Sequence, residues 1–145
     1  MSLAVPMGLR QRRLGRCAGR VLGEPVHALV DVPALAVSAM DGFAVRHDDV
    51  AARLPVVGTV PAGAAPTLEL APGCAARIMT GAPVPHGADT VVPVEDVQAT
   101  ADHIVVVGPV TDGQHVRHRG EDVRTGALVL PAGRTLRPAD VAACT

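Results

Sequence analysis

The sequence predicts a mainly β fold of short strands, small-barrel-like or built of coiled sheets, with flanking α-helical segments at the two ends. Three observations carry that expectation. Apolar, β-branched runs of four to seven residues recur along the 145-residue chain. Gly and Pro, 15 and 13 of them, fall mainly between those runs, so the elements are short and the turns many. Helical periodicity is confined to the two termini.

Taken in order, the start holds Arg10, Arg12, Arg13, Arg16 and Arg20 with no acid before Glu24. This superficially resembles an organelle-targeting helix, but Leu9, Leu14, Cys17 and Val21 fall near helical spacing, and a docked amphipathic helix with a solvated arginine face explains the same residues without import. Strands are expected within Val26–Asp31, Ala39–Val45, Leu54–Val60, Cys74–Met79, Thr90–Val94, Ile104–Val107 and Ala127–Leu130. Between them lie Pro61-Ala62-Gly63, Pro72-Gly73, the segment from Gly81 to Gly87, Asp112-Gly113 and Pro131-Ala132-Gly133, in which Gly tolerates positive φ and Pro pre-sets φ for a turn. Pro138 suits the first turn of a helix running on through Ala143, because its missing N–H is no loss there. Strand runs without intervening helices favour a mainly antiparallel sheet over a nucleotide-binding parallel one.

Composition removes several function classes. The core is aliphatic, since 24 Val and 24 Ala stand against one aromatic residue, Phe43. All 13 basic residues are Arg, so a Schiff-base lysine is impossible. A net charge of -1 with neither Trp nor Tyr argues against nucleic acid as a partner. No apolar run reaches the roughly 18 residues of a membrane span, so no membrane partner is expected. Cys17, Cys74 and Cys144 are odd in number and lack zinc spacing; they read as buried thiols in a reducing compartment.

Polar residues concentrate at Ser38 with Asp41, Arg77 with Thr80, Asp89, Glu95-Asp96, and Arg117 through Asp122. None completes a catalytic triad. Asp41-Gly42 reads either as a hairpin or bulge, or as a carboxylate at a sheet edge able to reach a metal ion or a substrate hydroxyl. Thr80-Gly81-Ala82-Pro83 reads either as a stiff turn or as a hydroxyl with backbone amides that hold an oxyanion. Arg117, His118, Arg119, Glu121 and Asp122 read by default as a solvated loop with local ion pairs. His115 and His118, three apart between Gly113 and Gly120, lack the helix that aims two rings at one metal, and no protein-built metal site is expected.

The same residues occur in a recognisable order. Ser38-Ala39-Met40-Asp41-Gly42-Phe43-Ala44-Val45-Arg46, then Arg77-Ile78-Met79-Thr80-Gly81-Ala82-Pro83-Val84-Pro85 with Gly87-Ala88-Asp89, resemble the signature blocks of the molybdopterin molybdenumtransferases, the MoeA and gephyrin E-domain family. Val91 through Asp96, Val116-Arg117, Gly120 through Val123, Pro131-Ala132-Gly133 and Leu136 continue the resemblance, which runs from about Leu14 to Cys144.

The resemblance implies an enzyme of molybdenum cofactor biosynthesis that inserts molybdenum from molybdate into adenylylated molybdopterin and releases AMP. It implies a magnesium ion, a homodimer or association with a full-length insertase, and a cytoplasmic location. By motif position it assigns Asp41, Thr80 and Asp122 as catalytic residues and Ser38, Gly81 and Arg119 as substrate-binding residues. It divides the chain into an Arg-rich helical part of a linking domain (1–24), a β-rich domain (25–112) and a return into the linking domain (113–145). Leu35-Ala36-Val37 and Phe43 depart from the pattern, which carries more polar side chains there. The family continues beyond the position of Thr145 into a molybdopterin-binding domain, where most ligands of the magnesium ion are expected. The chain alone is therefore expected to turn over little, and a non-catalytic dimerisation or docking module of the assembly machinery is the alternative reading.

Overall fold

The computed structural model describes residues 8–145, so Met1–Met7, the beginning of the expected Arg-rich helix, lie outside the described residues. Ten strands and one α-helix follow in order: β1 Val26–His27, β2 Val37–Ser38, β3 Gly42–Val45, β4 Arg53–Val60, β5 Ala75–Ile78, β6 Thr90–Pro93, β7 Val97–Ala99, β8 His103–Val106, β9 Val116–Arg117, β10 Leu128–Leu130 and α1 Pro138–Ala142. The fold is mainly β with few short helices, and each of the seven expected runs overlaps a strand.

The chain forms two compact units, one from residues up to Val30 with Arg124–Thr145, the other from Asp31–Val123. In the first, β1 pairs antiparallel with β10, matching Val26 to Leu130 and His27 to Leu128. The amphipathic helix expected here is absent among the described residues; a single 3₁₀ turn covers Leu14–Arg16. Gly15 and Gly19 disfavour a continuous helix, and the segment instead pairs with the chain's end. The Gly19 N–H donates to the Leu136 carbonyl at 2.7 Å, and the Leu22 N–H to the Arg134 carbonyl at 2.9 Å. Leu9, Leu14 and Val21 remain 69%, 43% and 64% exposed, so no apolar stripe is docked. At the other end α1 begins at Pro138, and the Asp140 carboxylate accepts the Arg137 N–H at 2.9 Å.

The second unit holds a curled six-stranded sheet in the order β6-β3-β5-β4-β8-β7, with β2 and β9 as a separate antiparallel pair. Pairing within the large sheet is antiparallel except between β4 and β5. Period-2 alternation sorts its apolar side chains into two clusters. Phe43, Val45, Leu54, Ala75, Val92 and Ile104 form one; Ala44, Val60, Ile78, Ala82 and Val91 form the other. A strand packed on both faces reads in sequence as a continuous apolar run, as β3 and β6 do. The three cysteines are free and half-buried rather than buried as expected.

Candidate functional site

The segment leaving β2 and the turn leaving β5 meet at one corner of the second unit. Ser38 is 1% exposed, and its hydroxyl donates to the Met40 carbonyl at 2.6 Å, closing a tight loop ahead of Asp41. Gly81 donates its N–H to the Ser38 carbonyl at 2.8 Å, and Ser38 donates its own to the Ala82 carbonyl at 2.9 Å. These bonds lace the loop over 38–41 to the turn over 79–82. Gly81 takes φ +78°, a left-handed conformation that favours glycine. Gly42 sits against β6 so closely that a Cβ there would collide with the Val92 carbonyl oxygen.

Asp41 and Thr80 are both exposed and bonded to each other. Asp41 Oδ1 accepts the Thr80 N–H at 2.6 Å and the Thr80 hydroxyl at 2.7 Å, leaving Oδ2 without a partner among the described residues. These bonds hold the Asp41 carboxyl below its ordinary range, the amide contributing most and the hydroxyl next, with the Arg77 charge adding to them against some desolvation. At neutral pH the corner presents a fixed carboxylate.

The other expected site residues lie elsewhere or are already engaged. Asp122 accepts from Arg117 Nη2 at 2.5 Å, and Glu121 Oε1 stands 3.6 Å from Arg117 Nε. That pairing pushes the Arg117 guanidinium up, chiefly through its bond to Asp122. Arg119 donates to Asp31 Oδ2 at 2.6 Å. The β2–β9 register separates these groups from Asp41. Val37 faces Arg117 and Ser38 faces Val116, so the chain runs toward Asp41 as its partner runs away from Asp122, whose N–H bonds back to the Val32 carbonyl at 2.9 Å. No hydrogen bond or ion pair of Asp122 reaches Asp41 or Thr80 among the described residues. Asp122 is thus engaged with Arg117, while Asp41 is engaged with Thr80.

The oxyanion role expected of the turn also changes. Thr80 gives its amide and hydroxyl to Asp41, Gly81 its amide to Ser38, and Ala82 its amide to the Met79 carbonyl at 2.9 Å. Ser38, sealed in the interior, offers no surface hydroxyl. Nor do the residues present fit a protein-built magnesium site. Among the described residues no group of three or more His, Cys, Asp or Glu could hold a metal ion, and Asp41 has one uncommitted oxygen.

Comparison with known proteins places the chain as a whole. Residues 4–145 match the MoeA N-terminal region, domains I and II. The chain belongs to the MoeA family. It is 43% identical over 142 residues to the molybdopterin molybdenumtransferase of Synechococcus elongatus, covering 92% of this chain and 35% of that protein. To molybdopterin molybdenumtransferase 2 of Mycobacterium tuberculosis it is 44% identical over 133 residues, covering 87% of this chain and 33% of the relative. A crystal structure of the molybdopterin biosynthesis MoeA protein from Pyrococcus horikoshii superposes with a TM-score of 0.84 at 38% identity, over 90% of this chain and 36% of that one. The chain spans about a third of the length of these relatives.

Within this MoeA corner, Arg77 is the residue to which sequence reasoning gave no role. It is the exposed member of β5, whose other three residues, Ala75, Ala76 and Ile78, are buried. A charged residue inside that apolar run, three positions before Thr80, was its available signal.

Proposed function

We propose that this chain supplies one wall of a molybdenum-insertion site in cytoplasmic molybdenum cofactor biosynthesis, presenting Asp41 and Thr80 to adenylylated molybdopterin and molybdate. The single observation that carries the reading is the exposed Asp41–Thr80 pair, closed by two hydrogen bonds across 39 residues of chain. Similarity to molybdopterin molybdenumtransferases supplies the chemistry: molybdenum enters the dithiolene and AMP leaves. Asp41 Oδ2 is suited to accept a hydrogen bond from a substrate hydroxyl or amine, and Thr80 keeps the carboxylate ionised and aimed. Asp122 and Arg119 act on this reading through their ion pairs, as supports of the 117–122 loop. A magnesium ion, implied for the family, takes its ligands mostly from outside this chain, and a homodimer or a full-length insertase supplies the rest of the cleft.

The purified chain is tested with adenylylated molybdopterin, molybdate and Mg²⁺, alone and with a full-length relative. Little AMP is expected from the chain alone. The changes equivalent to Asp41→Asn and Thr80→Ala in the full-length relative should abolish insertion with folding intact, and wild-type activity in both removes the assignment. A non-catalytic dimerisation or docking module is the second reading. It is favoured by Leu29 and Val30, apolar neighbours exposed by 90% and 62%. Stable association with the relative, with no effect of the two site changes on its activity, selects that reading.

A further inference from the structure

The second unit contains twelve carboxylates and five arginines, a net charge of -7, whereas the first holds eight arginines and two carboxylates, net +6. The near-neutral total conceals this division. An anion approaching the Asp41–Thr80 corner meets a unit that repels it unless a local cation intervenes. The turn amides cannot serve, because those of Thr80, Gly81 and Ala82 are all bonded within the chain.

Of the five arginines, Arg117 is held by Asp122 and Glu121, Arg119 by Asp31, and Arg53 lies 2.9 Å from His103 Nδ1. Arg46 and Arg77 have no hydrogen bond or ion pair among the described residues. Arg46 follows the far end of β3, beyond the Val45–Thr90 pair. Arg77 stands at the corner itself. The β3–β5 register matches Phe43 to Arg77 and Gly42 to Ile78, where the ladder ends, one residue after Asp41 and two before Thr80. Arg77 therefore opposes Phe43, two residues after Asp41, at the end of the β3–β5 pair that carries Asp41 and Thr80; positions so related across a sheet lie about 7–8 Å apart, within reach of a long side chain. Arg77 remains outside ion-pair distance of Asp41, so its forked donors stay available, and its charge is nonetheless felt by the Asp41 carboxyl.

We infer that Arg77 is the oxyanion-binding residue of this corner, its guanidinium taking a tetrahedral oxyanion, either free molybdate or a phosphate group of the nucleotide-bearing substrate, through two parallel hydrogen bonds. The assignment rests on the insertion reading for the identity of the anion, but not for the existence of the site. Its geometry places a bound oxyanion beside Thr80 and on the Arg77 side of Asp41, with the carboxylate limiting how deeply the anion sits.

The test uses the full chain, titrated separately with sodium molybdate, inorganic phosphate and AMP at constant ionic strength. Binding is read by calorimetry and by the amide resonances of Thr80 and Gly81. Wild type is expected to bind at least one of these anions. Arg77→Ala should weaken it by about tenfold or more, because charge-assisted paired bonds are lost. Arg77→Lys should recover part of the affinity, Arg46→Ala should leave it unchanged, and Asp41→Asn should tighten it by removing a like charge. Preference for molybdate over AMP identifies the free oxyanion as the ligand, and the reverse preference identifies the phosphate group. Dispersed amide spectra establish that each variant is folded. Absence of binding to all three anions overturns the assignment, as does equal affinity in wild type and Arg77→Ala. If the chain binds no oxyanion while the Asp41 and Thr80 changes abolish insertion in the relative, only the Arg77 assignment falls. If Arg77-dependent binding persists while those changes leave insertion intact, the insertion reading falls and the anion site stands.

Discussion

Gly42→Ala is a severe test of how this corner is built. The added Cβ meets the Val92 carbonyl oxygen in direct collision, with the Val92 carbonyl carbon 2.9 Å away and Pro93 Cα at 3.1 Å. All three obstacles are backbone, so no side chain can swing aside. β6 has little room to recoil: Val91 and Val92 are both fully buried, and they belong to different core clusters. Inserting a methyl into such packing costs about 1–3 kcal/mol, and the upper half of that range applies where backbone must move. With a urea dependence of about 1–3 kcal/mol per molar, the unfolding midpoint should fall by about 1 M. Urea unfolding of the full chain, followed by circular dichroism, measures it. Gly15→Ala is the control, since nothing lies within 4 Å of a Cβ there. A Gly42→Ala midpoint within the scatter of wild type would refute the claim that β3 and β6 approach too closely for a side chain.

Three further outcomes follow from named contacts. Leu54→Ala removes a fully buried side chain packed with Val45 and Ile104, and should destabilise the chain by about 2–5 kcal/mol in the same urea assay. Thr80→Val deletes the hydroxyl donor but keeps the amide, so the Asp41 carboxyl, followed by ¹³C NMR, should titrate higher than in wild type yet still below an ordinary aspartate; an unchanged titration contradicts the hydroxyl's part. Asp140 is held at about 2, chiefly by Arg134 and then by the Arg137 N–H. Because its folded pKa lies below the unfolded value of 3.8, its contribution is present above pH 4 and is lost as pH falls toward 2. Asp140→Asn should therefore flatten the acid limb of a stability–pH profile over that window, and an identical limb in both proteins contradicts the pairing.

Much of the β architecture was legible because its signal is local. Both core clusters draw on alternate residues of β3 and β6, so apolar runs appear in sequence whatever their partners. The strands that no apolar run signals, β2, β7 and β9, are two or three residues long, and pairing alone defines them. At the N-terminal end Leu14, Cys17 and Val21 mimic helical spacing, but Gly15 and Gly19 lower helix propensity while carbonyls of Arg134 and Leu136 offer the segment a ladder from far along the chain. The site followed the same division. Asp41-Gly42 and Thr80-Gly81 stand out as polar and glycine positions within apolar strands. That Thr80 spends both donors on Asp41, that the neighbouring amides are consumed internally, and that Asp122 lies at the other end of the β2–β9 ladder are consequences of register, which no local pattern encodes.

The register also restricts what chemistry Asp41 suits. A general base for neutral pH gains from a pKa raised toward the working pH, by burial or by a neighbouring negative charge. Asp41 has the opposite surroundings: an exposed position, two donors on one oxygen and the positive charge of Arg77 nearby, all but partial desolvation favouring the ionised form. Such a group takes up a proton poorly at neutral pH, and its use is electrostatic and positional. The carboxylate orients a donor group of the substrate, while the uncommitted guanidinium at the same corner supplies the opposite charge. Ser38, Gly81 and Gly42 hold the two chain segments in the register that brings these groups together. Removing charge at Asp41 and removing it at Arg77 should consequently shift oxyanion affinity in opposite directions, a sign difference that general destabilisation of the corner does not produce.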